Sequence, residues 1–224
     1  MLKLGLDLSL SSIRPQGVWS PDDETSLEAW YQNAVGITLN GSDVSQWADS
    51  SSNSNNMVQA TATEQPAYSA GVLTFDKNDT NNLQTSGQVT LTGAFTLGFR
   101  ANPSSTNVVI LADNTSSNEF IKYSTSSRIV IKIAGTSKNL NLDSGTFGDD
   151  YIIITRDGSD VITLYQNGTA QSGTVTLAGT SLIDAIGVRT TDLNPYDGTV
   201  EEVQIYSASN ATLIANVNDR LAGI

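Results

Sequence analysis

The sequence predicts an all-β chain, an antiparallel sandwich or barrel with one short C-terminal helix and an extended N-terminal arm. Three observations carry this. Short runs of alternating apolar and polar residues recur at intervals of roughly ten, separated by Gly, Asn, Asp and Ser, as in packed antiparallel sheets. The stretch ASNATLIANVNDRLAGI (208–224) instead spaces Leu213, Val217 and Leu221 four apart with Ile214 beside them, one apolar helix face. The opening residues, MLKLGLDLSLSS, place a leucine at every second position from 2 to 10.

The elements follow in order. In the arm, Leu2, Leu4, Leu6, Leu8 and Leu10 share one strand face, with Lys3, Gly5, Asp7 and Ser9 opposite. Lys3 and Asp7 interrupt the continuous apolar core that a signal peptide keeps, so the arm is expected not to be one. Burying each leucine is worth roughly 1.5–3 kcal/mol, so the face needs a cover. Either the domain's own sheet supplies it or another chain does. Because Pro15 and Pro21 break regular pairing, residues 1–25 read as arm and connector and residues 26–224 as the domain. Trp19, in the connector, is expected to pack on the body.

About a dozen strands are expected. The first are SLEAWY (26–31), VSQW (44–47), GVLTFD (71–76), FTLGFR (95–100), NVVILA (107–112) and EFIKYS (119–124). RIVIKIA (128–134), YIIITRDG (151–158), DVITLYQNG (160–168), TVTLA (174–178), LIDAIGVR (182–189) and YDGTVEEVQIY (196–206) follow. The helix is expected near residues 210–221, capped by Ser209 or Asn210 and ended at Gly223.

Composition narrows the chemistry. The 224 residues contain no Cys and no His, so disulfides, thiolate nucleophiles, the usual zinc sites and a Ser-His-Asp triad are excluded. Acids outnumber bases 23 to 11, a net charge of −12. Residues 15–76 hold eight acids and no Lys or Arg, a surface that repels a phosphate backbone; no nucleic-acid partner is expected. No apolar run approaches the roughly 20 residues of a membrane span, so no membrane insertion is expected.

Three places gather candidate side chains. Glu201 and Glu202 are adjacent on a strand; consecutive residues point to opposite faces, and the pair reads as a strand edge. In FDKNDTNN (75–82), Asp76, Asn78 and Asp79 bring hard oxygen donors close enough to consider calcium, yet the same residues are Asx-turn formers and Lys77 sits among them. No cofactor is required by this reading. In TTDLNPYDG (190–198), Asp192, Asn194, Tyr196 and Asp197 could form a glycan site, the ring over a sugar face and the Asx side chains on hydroxyls. A turn explains the same residues, since Asn-Pro and Asp-Gly are turn signals.

SLEAWY (26–31), SDVSQWADSS (42–51), ATEQPAY (62–68), LTFD (73–76), ITRDG (154–158), LYQNG (164–168), IGVR (186–189) and DGTVEEVQIY (197–206) together resemble the concanavalin A-like lectin/glucanase superfamily, in its laminin-G-like form. The resemblance spans about residues 26–222. It implies a two-sheet antiparallel jelly-roll sandwich, with calcium an occasional ligand. Where the family has Asp-Glu before its last strand, this chain has Glu201-Glu202. The alternate-position carboxylate motif of glycosidases on this fold is missing, although two acid groups must share one face about 5–10 Å apart to cleave a glycosidic bond. No enzymatic activity is therefore expected. Domains of this kind behind a leucine-rich start also resemble small virion structural proteins of tailed phages. That second resemblance implies a virion surface decoration or fibre subunit, docked on other virion proteins or its own copies through the arm. A cell-surface glycan is a further partner, and a lectin-like module with no tie to a virion is the alternative.

Overall fold

The computed structural model describes residues 18–224, and the leucine arm lies outside the described residues. The runs with alternating apolar residues pair into two antiparallel sheets. One sheet contains β1 (Leu27–Tyr31), β18 (Gly198–Tyr206), β8 (Phe95–Pro103), β13 (Asp150–Arg156) and β14 (Val161–Gln166), in that order. The two-residue strands β15 (Thr169–Ala170) and β16 (Val175–Thr176) finish its far edge. The other contains β7 (Leu83–Leu91), β17 (Ser181–Ile186), β9 (Val108–Ala112), β10 (Phe120–Thr125), β11 (Arg128–Ile133) and β12 (Thr136–Asn141).

Five short strands join the sheets. β2 (Ile37–Asn40), β3 (Asp43–Trp47) and β4 (Met57–Val58) extend the β7 edge, while β5 (Ala67–Ser69) and β6 (Val72–Phe75) carry the pairing round to β18. The result is the all-β sandwich the sequence predicts, with more strands than expected. β2, β7 and β12 escape the alternation rule because much of each is polar or exposed: of the nine residues of β7 only Leu83, Val89 and Leu91 are buried, and β12 buries Leu140 alone.

The inner faces meet in one apolar core that includes Trp47, Phe75, Leu97, Phe99, Ile152 and Ile205. The loop after β3 is pinned by Asp49. Its carboxylate accepts from Trp30 N at 2.9 Å, Ser51 N at 2.8 Å and Asn55 N at 2.9 Å, so the WADSS stretch is a clasp.

The helix α1 (Ala211–Ala222) lies on the outer face of the β8–β13 sheet. Leu213, Val217 and Leu221 are buried there against Trp30, Ile153 and Tyr206. Gly98 of β8 makes room: a Cβ on it would stand 2.5 Å from Val217 Cγ1. The Asn210 side chain caps the helix by accepting from Leu213 N at 2.9 Å. Trp19 packs on this same cluster and its indole donates to Glu24 Oε1 at 3.0 Å.

The strand containing Glu201 and Glu202 corrects the sequence reading twice. β18 is not an edge, since β1 and β6 pair along one side of it and β8 along the other. Nor do the two glutamates diverge. Val200 pairs Ala101 and Glu202 pairs Arg100, so Glu201 is the extra residue of a β-bulge. The bulge turns both carboxylates towards arginines on the helix-covered side: Arg100 for Glu201 and Arg220 for Glu202.

Candidate functional site

Glu202 is fully buried, so its charge has to be matched. Arg220 of α1 grips it with both arms, Nη2 to Oε2 at 2.6 Å and Nε to Oε1 at 2.9 Å. Trp30 Nε1, Gln204 Nε2 and Asn33 N add donors at 3.0, 2.7 and 3.1 Å. Tyr206 extends the chain by donating to Gln204 Oε1 at 2.7 Å. These bonds hold Arg220 above the usual guanidinium range, and burial followed by Glu202 pushes the Tyr206 phenol up. A carboxylate with five donors has no free lone pair for acid–base work. This site is a structural rivet between helix and sheet.

The loop offered as a glycan site is rearranged by the fold. Tyr196 is a core residue with no exposed surface; its ring meets Phe75 edge-on at 5.8 Å and lies 6.3 Å from Tyr123. It cannot stack on a sugar, which corrects the sequence reading. Burial there pushes its phenol well above the ordinary range. Asp192 is exposed, and Asp192 and Asn194 hold left-handed backbone (φ +55° and +54°). Asp197 forms an ion pair with Lys77 at 3.2 Å. Val109 N donates to Asn194 O at 2.8 Å and Tyr196 N to Gly187 O at 2.7 Å, so the stretch is a pinned turn.

The calcium candidates fare similarly. Asp76 Oδ1 accepts from Asn78 N and Asn78 Nδ2, both at 2.8 Å, while Asn81 Oδ1 accepts from Asp76 N at 2.8 Å. Asp43, Asp76 and Asp79 line one open depression together with Ala62 and Ala67. Among the described residues, however, no group of three or more carboxylates is placed to hold a metal ion. The hydrogen bonds among Asp76, Asn78 and Asn81 are those of an Asx turn.

Sequence reasoning missed two features. The first is a buried acidic cluster, Asp113, Glu119 and Asp184, whose side chains are 1, 5 and 6% exposed. Asp113 and Glu119 flank the β9–β10 hairpin, and the Ala112–Ala185 pairing of β9 with β17 brings in Asp184. Asp184 Oδ1 accepts from Asn114 N at 2.6 Å, yet Asp113 Oδ2 and Glu119 Oε2 meet no N–H or O–H donor. Burial, opposed by the Asn114 hydrogen bond and reinforced by Asp113, lifts Asp184 from 3.8 to about 6. Burial and Asp113 also raise Glu119. The raised pKa means that this pocket favours the protonated form of Asp184.

The second is a groove of about 560 Å3 between α1 and the outer face of β14. α1 rests on β8 and β13 and leaves the next strand uncovered. The floor is two cross-strand pairs, Ile153 with Tyr165 and Thr155 with Thr163. Ile214, Ala215 and Asn218 of the helix form one wall. Asn218 Oδ1 is buried without a hydrogen-bond partner, and lies in space kept open by Gly168, which has no side chain (φ +78°). Asp157 stands at the far end, its Oδ1 accepting from Ser159 N at 2.8 Å and Val161 N at 3.0 Å.

No family model and no curated protein matches the chain. Solved structures do. Domain 4 of AbnA, a GH43 extracellular arabinanase from Geobacillus stearothermophilus, in complex with arabinotriose, is similar with a TM-score of 0.56 and 15% identity, over 87% of this chain and 97% of that domain. The binding domain of Paraclostridial Mosquitocidal Protein 1 is similar with a TM-score of 0.57 and 15% identity. That match covers 91% of this chain and 53% of the other, so this chain spans about half its length. Both likenesses are to antiparallel β-sandwich domains and show a shared fold.

Proposed function

We propose that this chain is a non-enzymatic, lectin-like module that binds glycans. The observation that carries the reading is the fate of Glu201 and Glu202. The bulge brings two carboxylates to one face, as hydrolysis of a sugar bond needs, and arginines then take both up. Agreement along almost the whole fold with a domain whose structure contains arabinotriose supports binding as the remaining task. Fold alone does not dictate function, so the test is direct. The full chain on a glycan array is expected to retain oligosaccharides, and reducing ends released from soluble polysaccharides are expected to stay at background. An array with no retained glycan, or release abolished by Glu202→Gln, overturns this reading.

Placement on a virion is a separate proposal, supported by the resemblance of the domain and the leucine arm to tailed-phage structural proteins. In it, Leu2, Leu4, Leu6, Leu8 and Leu10 dock the module on other virion proteins or on its own copies. Deleting residues 1–14 is expected to leave the melting temperature nearly unchanged and to abolish incorporation into particles. A large drop in melting temperature makes those leucines part of the domain core.

A further inference from the structure

We propose that the groove between α1 and β14 is the sugar-binding site and that it takes a neutral saccharide. This deepens the lectin-like reading and rests on it. The groove exists because of how the outer face is shared. The four-residue spacing of Leu213, Val217 and Leu221 seats the helix over β8 and β13, where Gly98 lets it come close. Its width ends there, and Val161, Thr163 and Tyr165 of β14 stay partly open.

The lining suits a sugar. A pyranose or furanose ring offers apolar C–H faces and a rim of hydroxyls, so its site needs a flat apolar surface beside short polar groups. Tyr165 is half-buried: its ring packs against the helix cluster while the side chain remains in the lining. The paired Thr155 and Thr163 put two hydroxyls beside it on the floor. Asn218 adds an amide side chain to the helix wall beside them. The volume falls within the roughly 300–1,000 Å3 of small-molecule sites.

Charge sets the class. Asp157 is the one ionisable carboxylate of the lining, no Lys or Arg stands there, and the chain as a whole carries −12. Sialylated and uronic saccharides are therefore repelled, while neutral pentose or hexose chains are accepted.

The experiment uses the full chain on an array of neutral, sialylated and uronic oligosaccharides, with titration calorimetry on arabinotriose and on the strongest neutral hit. Neutral glycans are expected to bind, Tyr165→Ala to weaken them at least ten-fold, and Tyr165→Phe to keep most of the affinity. Ala215→Trp, on the exposed rim of the helix, is expected to block the groove without touching the core, so it tests the site even if the Tyr165 variant folds poorly. Unchanged affinity in both Tyr165→Ala and Ala215→Trp overturns the groove and leaves the lectin-like reading standing. Binding confined to anionic glycans overturns the neutral class. An array with no retained glycan removes both the site and the reading it rests on.

Discussion

Replacing Arg220 with alanine is expected to destabilise the chain by about 3 kcal/mol, because removing one partner of a buried ion pair costs roughly 3–5 kcal/mol. The lower end applies for two reasons. Arg220 is partly exposed, its side chain keeping 30% of its surface, and Glu202 retains Trp30, Gln204 and Asn33 as donors. Removing the other partner costs more. Glu202→Met strips an acceptor from all of those donors at once and leaves the guanidinium unpaired, so about 4–5 kcal/mol is expected. With roughly 2–4 °C per kcal/mol for a chain of this size, the two variants are expected to melt about 6–12 °C and 8–20 °C lower. Thermal melts followed by circular dichroism check this. An Arg220→Ala variant within 1 °C of the parent, or one less stable than Glu202→Met, contradicts the account of the rivet.

Asp184→Asn is expected to do the opposite at neutral pH and raise stability. The sign follows from linkage. Folding lifts the Asp184 pKa from 3.8 to about 6, so between those values the native state binds more protons than the unfolded one. Stability contributed by this group is full below pH 4, falls as pH rises through 4 to 6, and stays low above. A shift of about two units corresponds to roughly 3 kcal/mol at 1.36 kcal/mol per unit. Because Asp113 and Glu119 share the cluster, about 2 kcal/mol is a fairer expectation for one residue. Asparagine mimics the protonated acid, donating where the carboxyl O–H would and still accepting from Asn114 N. The variant is therefore expected to melt roughly 4–8 °C higher than the parent at pH 7.5 and within 1–2 °C of it at pH 4.5. A cluster that favours protons over cations also predicts equal melts in EDTA and in calcium chloride. A variant less stable at both pH values, or a parent stabilised by calcium, would make the cluster an acceptor of cations instead.

The sequence disclosed the fold through its buried elements and little of the site. Alternation found β8, β9, β10, β11 and β13 because each sends apolar side chains to a shared core, and four-residue spacing found α1 for the same reason. The bulge was visible in principle: Val200 and Val203 stand three apart where a regular strand would keep two, and both are core residues. Tyr196 was misread because a turn sequence says nothing about which way its aromatic faces. The acidic cluster joins residues 113, 119 and 184, and only the pairing of β9 with β17 makes them neighbours. The groove needed the helix to be docked before the uncovered outer face of β14 could be recognised. Pairwise tertiary placement is the information that local pattern lacks.

The packing of Trp19 has a mechanical consequence. Val18 and Trp19 lie beside Asn216, Asp219, Arg220 and Gly223, so the connector packs against the last turns of α1. The connector therefore braces the last turn of the helix from one side while the Arg220–Glu202 pair braces it from the other, so a pull on the C-terminal turn is expected to load the connector and strand β18 together.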